Sequence, residues 1–218
     1  MPDEHTPVDS AGARLIIREA MREDDHPLFV ALLGTATDLA SALLLEPAIA
    51  RRLTAVWIGG GAYPKGDWEF NLAQDLHAAN VLFSSQAELW QVPRDVYKQM
   101  NVTLSELRWR VAEQGRIGAY LVEQMVAFND LMGQAKGFPH GESWCLGDQP
   151  TVGVLLEDQG RRHYQWRPAP RVQQGGRYQP CPQNRPIRVY HTLDARMTLE
   201  DFYAKIALFA AQQEGRER

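Results

Sequence analysis

Three short apolar runs constrain the fold of this chain more than any other feature: "LFVALLG" (28–34), "LTAVWIGG" (53–60) and "ELWQVP" (88–93). Each has the length of a strand, and the first two are uncharged and end in glycine. A continuous apolar run suits a strand buried on both faces, as in a parallel sheet, better than a strand with one wet face. The segments between them have helical character. Residues 9 to 23 predict a helix with Ser10 as N-cap and Leu15, Ile16 and Ala20 in its apolar stripe. "TDLASALLLEP" predicts a second helix starting at Thr37 or Asp38, and Pro47 opens a further turn through Arg52. Residues 72 to 85 place Leu72, Leu76, Ala79 and Phe83 on one side of a third. The order β-α-β-α-β predicts an α/β fold, a Rossmann-like open and mostly parallel sheet flanked by helices.

The rest of the chain is less periodic. Thr103 to Glu106 reads "TLSE", a capping box, and a helix is predicted from Ile117 to Met132 with a core-facing stripe of Tyr120, Leu121, Met125, Phe128 and Met132. Residues 138–150, "FPHGESWCLGDQP", read as a loop leading into the apolar stretch "TVGVLLE". Strand fragments and loops over the sheet are expected from Arg161 to Arg188. A strand is expected over 185–194 and a closing amphipathic helix over 198–210. The chain is expected to form one domain over 1–218.

Charge and cysteine content exclude several classes. With a formal net charge of -4 and no run of lysine or arginine, neither nucleic acid nor an anionic membrane is an expected partner. Cys145 and Cys181 are too few for a disulfide framework or a thiolate zinc site, and a reducing cytoplasm is the expected location. The polar start "MPDEHTPVDSAG" has no apolar core of a signal peptide, and no apolar run is long enough to span a bilayer.

Ligands of open α/β sheets sit beyond the carboxyl ends of the strands, which singles out a few polar residues. Thr37 follows the run 28–34. Glu69 and Asn71 follow 53–60 and the glycine turn "GGGAYPKG", whose spacing matches neither the P-loop nor the dinucleotide fingerprint. Asp148 lies in the loop before Thr151. Each has a structural alternative: Glu69 as a solvated carboxylate, Asn71 as a helix N-cap, Asp148 as the N-cap of whatever turn follows. Asp75 inside the third helix reads as a surface or supporting residue. Asp24 and Asp25 fall in a charged turn where solvation is the default. His140 is a loop histidine, and such residues are usually exposed.

Three blocks carry a resemblance. "LLGTATDLASALLLEP", "VWIGGGAYPKGDWEFNLAQDLHAANVLF" and "ESWCLGDQPTVGVLL" resemble consecutive blocks of the inosine/uridine-preferring nucleoside hydrolases, including a bacterial subgroup whose glycine loop reads "GGGAYP". The resemblance runs from about residue 9 to about residue 210. It implies hydrolysis of the N-glycosidic bond of a ribonucleoside to ribose and free base, with a bound calcium ion that holds the ribose hydroxyls and a water. By position, Asp148 matches the C-terminal calcium ligand and Thr37 the residue whose main-chain carbonyl completes the metal site. Glu69, Asn71 and Asp148 match substrate-binding residues. In several members a histidine that protonates the leaving base precedes the final aspartate; here that place is Gly147, which leaves His140 and Trp144 as candidates for proton donation or base stacking. The family's opening D-x-D-x-x-x-D-D cluster, source of most calcium ligands and of the water-activating base, does not occur in these 218 residues. The resemblance therefore implies a chain equivalent to the C-terminal two-thirds of the family fold, lacking its first β-α-β units. Its rival reading is a non-catalytic sugar-binding or subunit-interface module. A homo-oligomer is also expected, because an uncharged strand at 28–34 would leave an unprotected sheet edge.

Overall fold

The computed structural model describes residues 1–133 and 141–216. The first half runs α1 (Ala11–Ala20), β1 (Leu28–Leu32), α2 (Thr37–Leu45), β2 (Leu53–Ile58), α3 (Phe70–Gln74), α4 (Leu76–Ser84), β3 (Glu88–Val92) and α5 (Arg94–Tyr97). It continues with β4 (Asn101–Thr103), α6 (Leu104–Leu107), α7 (Gly115–Met132), β5 (Ser143–Cys145) and α8 (Pro150–Leu156). The chain closes with β6 (Tyr164–Pro168), β7 (Arg171–Val172), β8 (Tyr178–Gln179), β9 (Pro186–Tyr190) and α9 (Ala195–Arg216).

Contacts divide the chain into two compact units, Met1–Tyr97 with Pro150–Leu193, and Lys98–Gln149 with Asp194–Arg218. The first holds a five-stranded sheet in the order β1-β2-β3-β9-β6. Strands β1, β2, β3 and β9 are parallel, and β6 joins antiparallel to β9. The mostly parallel α/β sheet flanked by helices is thus present. Register sets Leu32 beside Trp57 and Ile58 beside Val92, so the carboxyl ends of β1, β2 and β3 lie together. One face of this sheet builds the main core with α1, α2 and α4, through Ala13, Leu39, Ala55, Trp57, Leu82, Phe83, Leu89 and Ile187. Trp57 and Phe83 are fully buried and meet edge to face at 5.8 Å between ring centroids.

Four sequence expectations need correction here. β1 is not buried on both faces. Among the described residues it is the end strand of the sheet, with Phe29 exposed on one face and Leu33 exposed just beyond its end. The helix expected over 72–85 breaks at Asp75, whose non-helical backbone ends α3 and whose side chain caps α4 by accepting the Ala78 amide. In α1, Ser10 is the N-cap as expected, but Leu15 faces solvent and Ala13 takes the buried position.

The fourth correction lies in the second unit, where β4 and β5 pair antiparallel and α6, α7 and α9 enclose a core of Val102, Leu107, Val111, Val122, Tyr203 and Ile206. Thr103 caps α6 as the capping box predicts. The stripe of α7, however, is rotated: Tyr120 and Phe128 are exposed, while Gly118 and Val122 are buried and Leu121, Met125 and Val126 pack on the core. Gly118 sets this rotation. A Cβ there would lie 1.9 Å from the Val111 carbonyl oxygen, so only glycine lets α7 approach the turn at 108–112 so closely. Arg110 ties the same unit together through a two-pronged bond to Glu200, at 2.7 and 2.6 Å, with its guanidinium over the Tyr203 ring.

Candidate functional site

The carboxyl ends of β1 and β2 are stitched by side chains from the segment after the glycine turn. Gly60 has φ of +85°, in the left-handed region, and a Cβ at that position would meet the Tyr178 hydroxyl oxygen at 2.1 Å. Beneath the turn, buried Gln91 donates to the Gly59 carbonyl at 2.9 Å and to Tyr178 Oη at 3.0 Å, and accepts from the Tyr63 hydroxyl at 2.9 Å. Burial pushes the Tyr178 phenol well above its ordinary value, so it stays a neutral hydrogen-bonding group. The glycines thus let the backbone pass over a buried polar network.

Glu69 is 0% exposed. Its Oε2 accepts from the Gly60 amide and from the Leu72 amide, each at 2.9 Å. Its Oε1 accepts from the Asn71 amide and the Tyr97 hydroxyl, each at 3.0 Å. The N-cap role considered for Asn71 therefore belongs to Glu69, and the carboxylate is buried rather than solvated. Four protein donors occupy both oxygens, which is what a buried charge requires. Asn71 is half-buried and donates from Nδ2 to the Ile58 carbonyl at 2.8 Å, with a longer contact to the Leu33 carbonyl at 3.5 Å. It fastens α3 to the last residue of β2. Trp57, in β2, holds the backbone two residues beyond β1, its indole donating to the Gly34 carbonyl at 3.0 Å.

Asp75 is a buried support rather than a surface residue. Its Oδ2 accepts from the Thr37 hydroxyl at 2.6 Å and from the Met1 amino group, while Oδ1 caps α4. Burial opposes its charge, but the bonds from the amino group, Thr37 and the Ala78 amide prevail and hold the carboxyl below its ordinary value. Thr37, Glu69, Asn71 and Asp75 are therefore gathered at one end of the sheet.

Trp144 and Asp148 belong to the second unit. Trp144, in β5, donates from its indole to Asn129 Oδ1 at 3.1 Å and lines a cavity of about 650 Å³ with Lys98, Asn101, Met125 and Cys145. Asp148 is solvent-exposed in the turn at 147–149, although partial desolvation raises its carboxyl above the ordinary value. His140 lies outside the described residues. Asp24 accepts from the His26 amide and from Arg22 in an exposed turn, as a solvated charge does. Sequence reasoning missed the parts played by Tyr97, Gln91 and Tyr178. Asp75 had left a signal, since "DLHA" is an N-cap pattern inside an apparent helix.

With this geometry in place, comparison with known proteins decides the family. The sequence model of the family described as inosine-uridine preferring nucleoside hydrolase matches residues 1–214. The chain belongs to that family. A pyrimidine-specific ribonucleoside hydrolase of Enterobacter sp. (strain 638) is 25% identical over 143 residues, 64% of this chain and 45% of the relative. An inosine-uridine preferring nucleoside hydrolase of Leishmania major is 30% identical over 132 residues, 58% of this chain and 42% of the relative. Among solved structures, the purine-preferring ribonucleoside hydrolase from Gardnerella vaginalis has a TM-score of 0.69 at 20% identity, covering 93% of this chain and 67% of that one. An inosine-uridine preferring nucleoside hydrolase from Bacillus anthracis gives 0.64 at 17%, covering 92% and 66%. These likenesses fix the nucleoside hydrolase fold. The chain spans about half the length of the curated relatives it matches.

Two predictions follow from the hydrogen bonding. Glu69→Gln puts an amide NH2 against two protein donors and should cost about 1–3 kcal/mol of unfolding free energy in urea, while Tyr97→Phe, which removes one donor, costs about 1 kcal/mol. Equal stability of Glu69→Gln and wild type would mean that the carboxylate is not held as described. For Asp75, the folded carboxyl lies below its ordinary value of 3.8, so its stabilisation is present above that value and lost as pH falls through the depressed one. The stability gap between wild type and Asp75→Asn should therefore shrink as pH is lowered from 6 to about 3, as read by urea titration at each pH. A gap that does not change with pH would contradict this.

Proposed function

We propose that this chain carries the ribose-holding part of a ribonucleoside hydrolase site, serving hydrolysis of the N-glycosidic bond to ribose and free base. The observation that supports it is Asn71. Its Nδ2 is committed to the Ile58 carbonyl at the carboxyl end of β2, which orients the amide, and among the described residues no hydrogen bond engages its Oδ1. An oriented amide oxygen accepts a bond from a sugar hydroxyl. Such bonds strengthen as positive charge develops on the ribose ring in an oxocarbenium-like transition state, because the hydroxyl becomes a better donor. Glu69 works through Asn71 in this reading, holding its backbone amide at 3.0 Å, rather than gripping the hydroxyl itself.

By the resemblance, Trp144 is a candidate for proton donation or base stacking. Its indole N–H is engaged by Asn129, so stacking suits it better than proton donation. The relatives' printed specificities, pyrimidine for one and inosine-uridine for another, support a ribonucleoside substrate without choosing the base.

Calcium is the family expectation, and the residues present do not make up its site. The resemblance names Thr37 and Asp148 as donors, whereas calcium takes about six to eight oxygens. Among the described residues no three His, Cys, Asp or Glu side chains are grouped to hold an ion. No step is therefore routed through a metal.

The reading is tested by equilibrium binding of ribose, inosine and uridine, followed by calorimetry. Saturable binding is expected, and Asn71→Ala should weaken it roughly tenfold or more while leaving the fold intact by circular dichroism. No binding, or equal affinities for the two proteins, would sink it. Titration calorimetry with calcium chloride should show weak binding or none; a tight site would mean that other carboxylates have been recruited.

A further inference from the structure

The cavity of about 650 Å³ in the second unit presents hydrogen-bonding groups whose orientation is already settled. Met125, Phe128 and Trp144 give it an apolar lining, and Lys98, Asn101 and Asn129 a polar one. The amide of Asn129 has one possible orientation. Its oxygen accepts from the Trp144 indole at 3.1 Å and from the Gly141 amide at 3.3 Å, and both partners can only donate. Nδ2 is therefore a donor of two hydrogens, and among the described residues no acceptor engages it. Asn101 is fixed the other way round. Its Nδ2 donates to the Lys98 carbonyl at 2.7 Å, which leaves its oxygen open. Lys98 adds a cation to the same lining.

We infer that Asn129 is a specificity-determining residue, which selects a base with an oxo group, uracil or hypoxanthine, over its amino counterpart, cytosine or adenine. The inference rests on the proposed function, with Trp144 as the surface on which the base stacks. The glycosidic side of a base is turned to its sugar. The far edge, which carries the oxo or amino group, is the part left for a pocket wall to meet. An NH2 donor pairs with an oxo oxygen, whereas against an amino group it sets donor against donor and leaves both unpaired. A polar mismatch of that kind discriminates more strongly than a difference in size. Lys98 acts in the same sense, since an ammonium group can only donate. The bond from the Trp144 indole to Asn129 also ties the stacking ring to the donor, so the two hold one geometry.

Free bases test this, because no sugar contact then enters. Titration calorimetry of the 218-residue chain compares uracil with cytosine, and hypoxanthine with adenine. The oxo base of each pair should bind about fivefold or more tightly than its amino partner. Asn129→Asp keeps an oxygen for Trp144 and Gly141 but replaces the donor by an acceptor, and should reverse the order to favour cytosine over uracil. An amide with a merely structural role would lower every affinity together and leave the order unchanged. Near-ultraviolet circular dichroism reports whether the variant is folded, and if it is not, the two wild-type pairs still decide. No saturable binding, equal affinities within either pair, or a folded Asn129→Asp protein whose order is not reversed would each overturn the inference. Base binding that fails while ribose still binds overturns this inference alone, and the converse overturns the ribose reading alone.

Discussion

A charge withdrawn from water has to find its donors inside the protein, and the carboxylate of Glu69 finds them in three places. One is the glycine turn after β2, one the first turn of α3, and one the hydroxyl of Tyr97 in α5. The backbone amides of Gly60, Asn71 and Leu72 would each lose this acceptor if the carboxylate were elsewhere. The segment 59–71 therefore has one arrangement in which every buried group is paired, and that arrangement brings Asn71 against the end of β2. Gly60 is needed because the turn lies on Tyr178 and Gln91, where a side chain has no room.

Asp75 acts in a similar way one turn later. It ends α3, starts α4 and fixes the hydroxyl of Thr37 across the gap between two β-α connections. The acidic residues of "EFNLAQD" are thus committed to the protein's own donors, and in the proposed reading the neutral amide between them is the group that meets a ligand. This division has a physical basis. A buried carboxylate is a strong, geometrically demanding acceptor, and so it fixes backbone amides well. A carboxylate already carrying four donors has little capacity left for a fifth.

The sheet was legible because its signal is local: short apolar runs, helical spacing between them, and glycines at the strand ends. Ser10 and Thr103 were legible as caps for the same reason. The rotation of α7 was not, because it depends on what Gly118 meets across space rather than on the spacing along the helix. The burial of Glu69 was not legible either. Its solvated and buried readings share one sequence, and Tyr97, the donor 28 residues away, leaves no mark near it. The incomplete burial of β1 was missed for a related reason: an apolar run has the same sequence signature whether both its faces are covered or not.

The edge and the site are connected through the residues that follow β1. Leu33 and Gly34 supply the carbonyls that Asn71 and Trp57 contact, and Thr37 begins only three residues beyond Gly34. An unpaired edge strand frays more readily than a central one, since it is held from one side only. Fraying of β1 would loosen both carbonyls together with the anchor of Thr37 on Asp75.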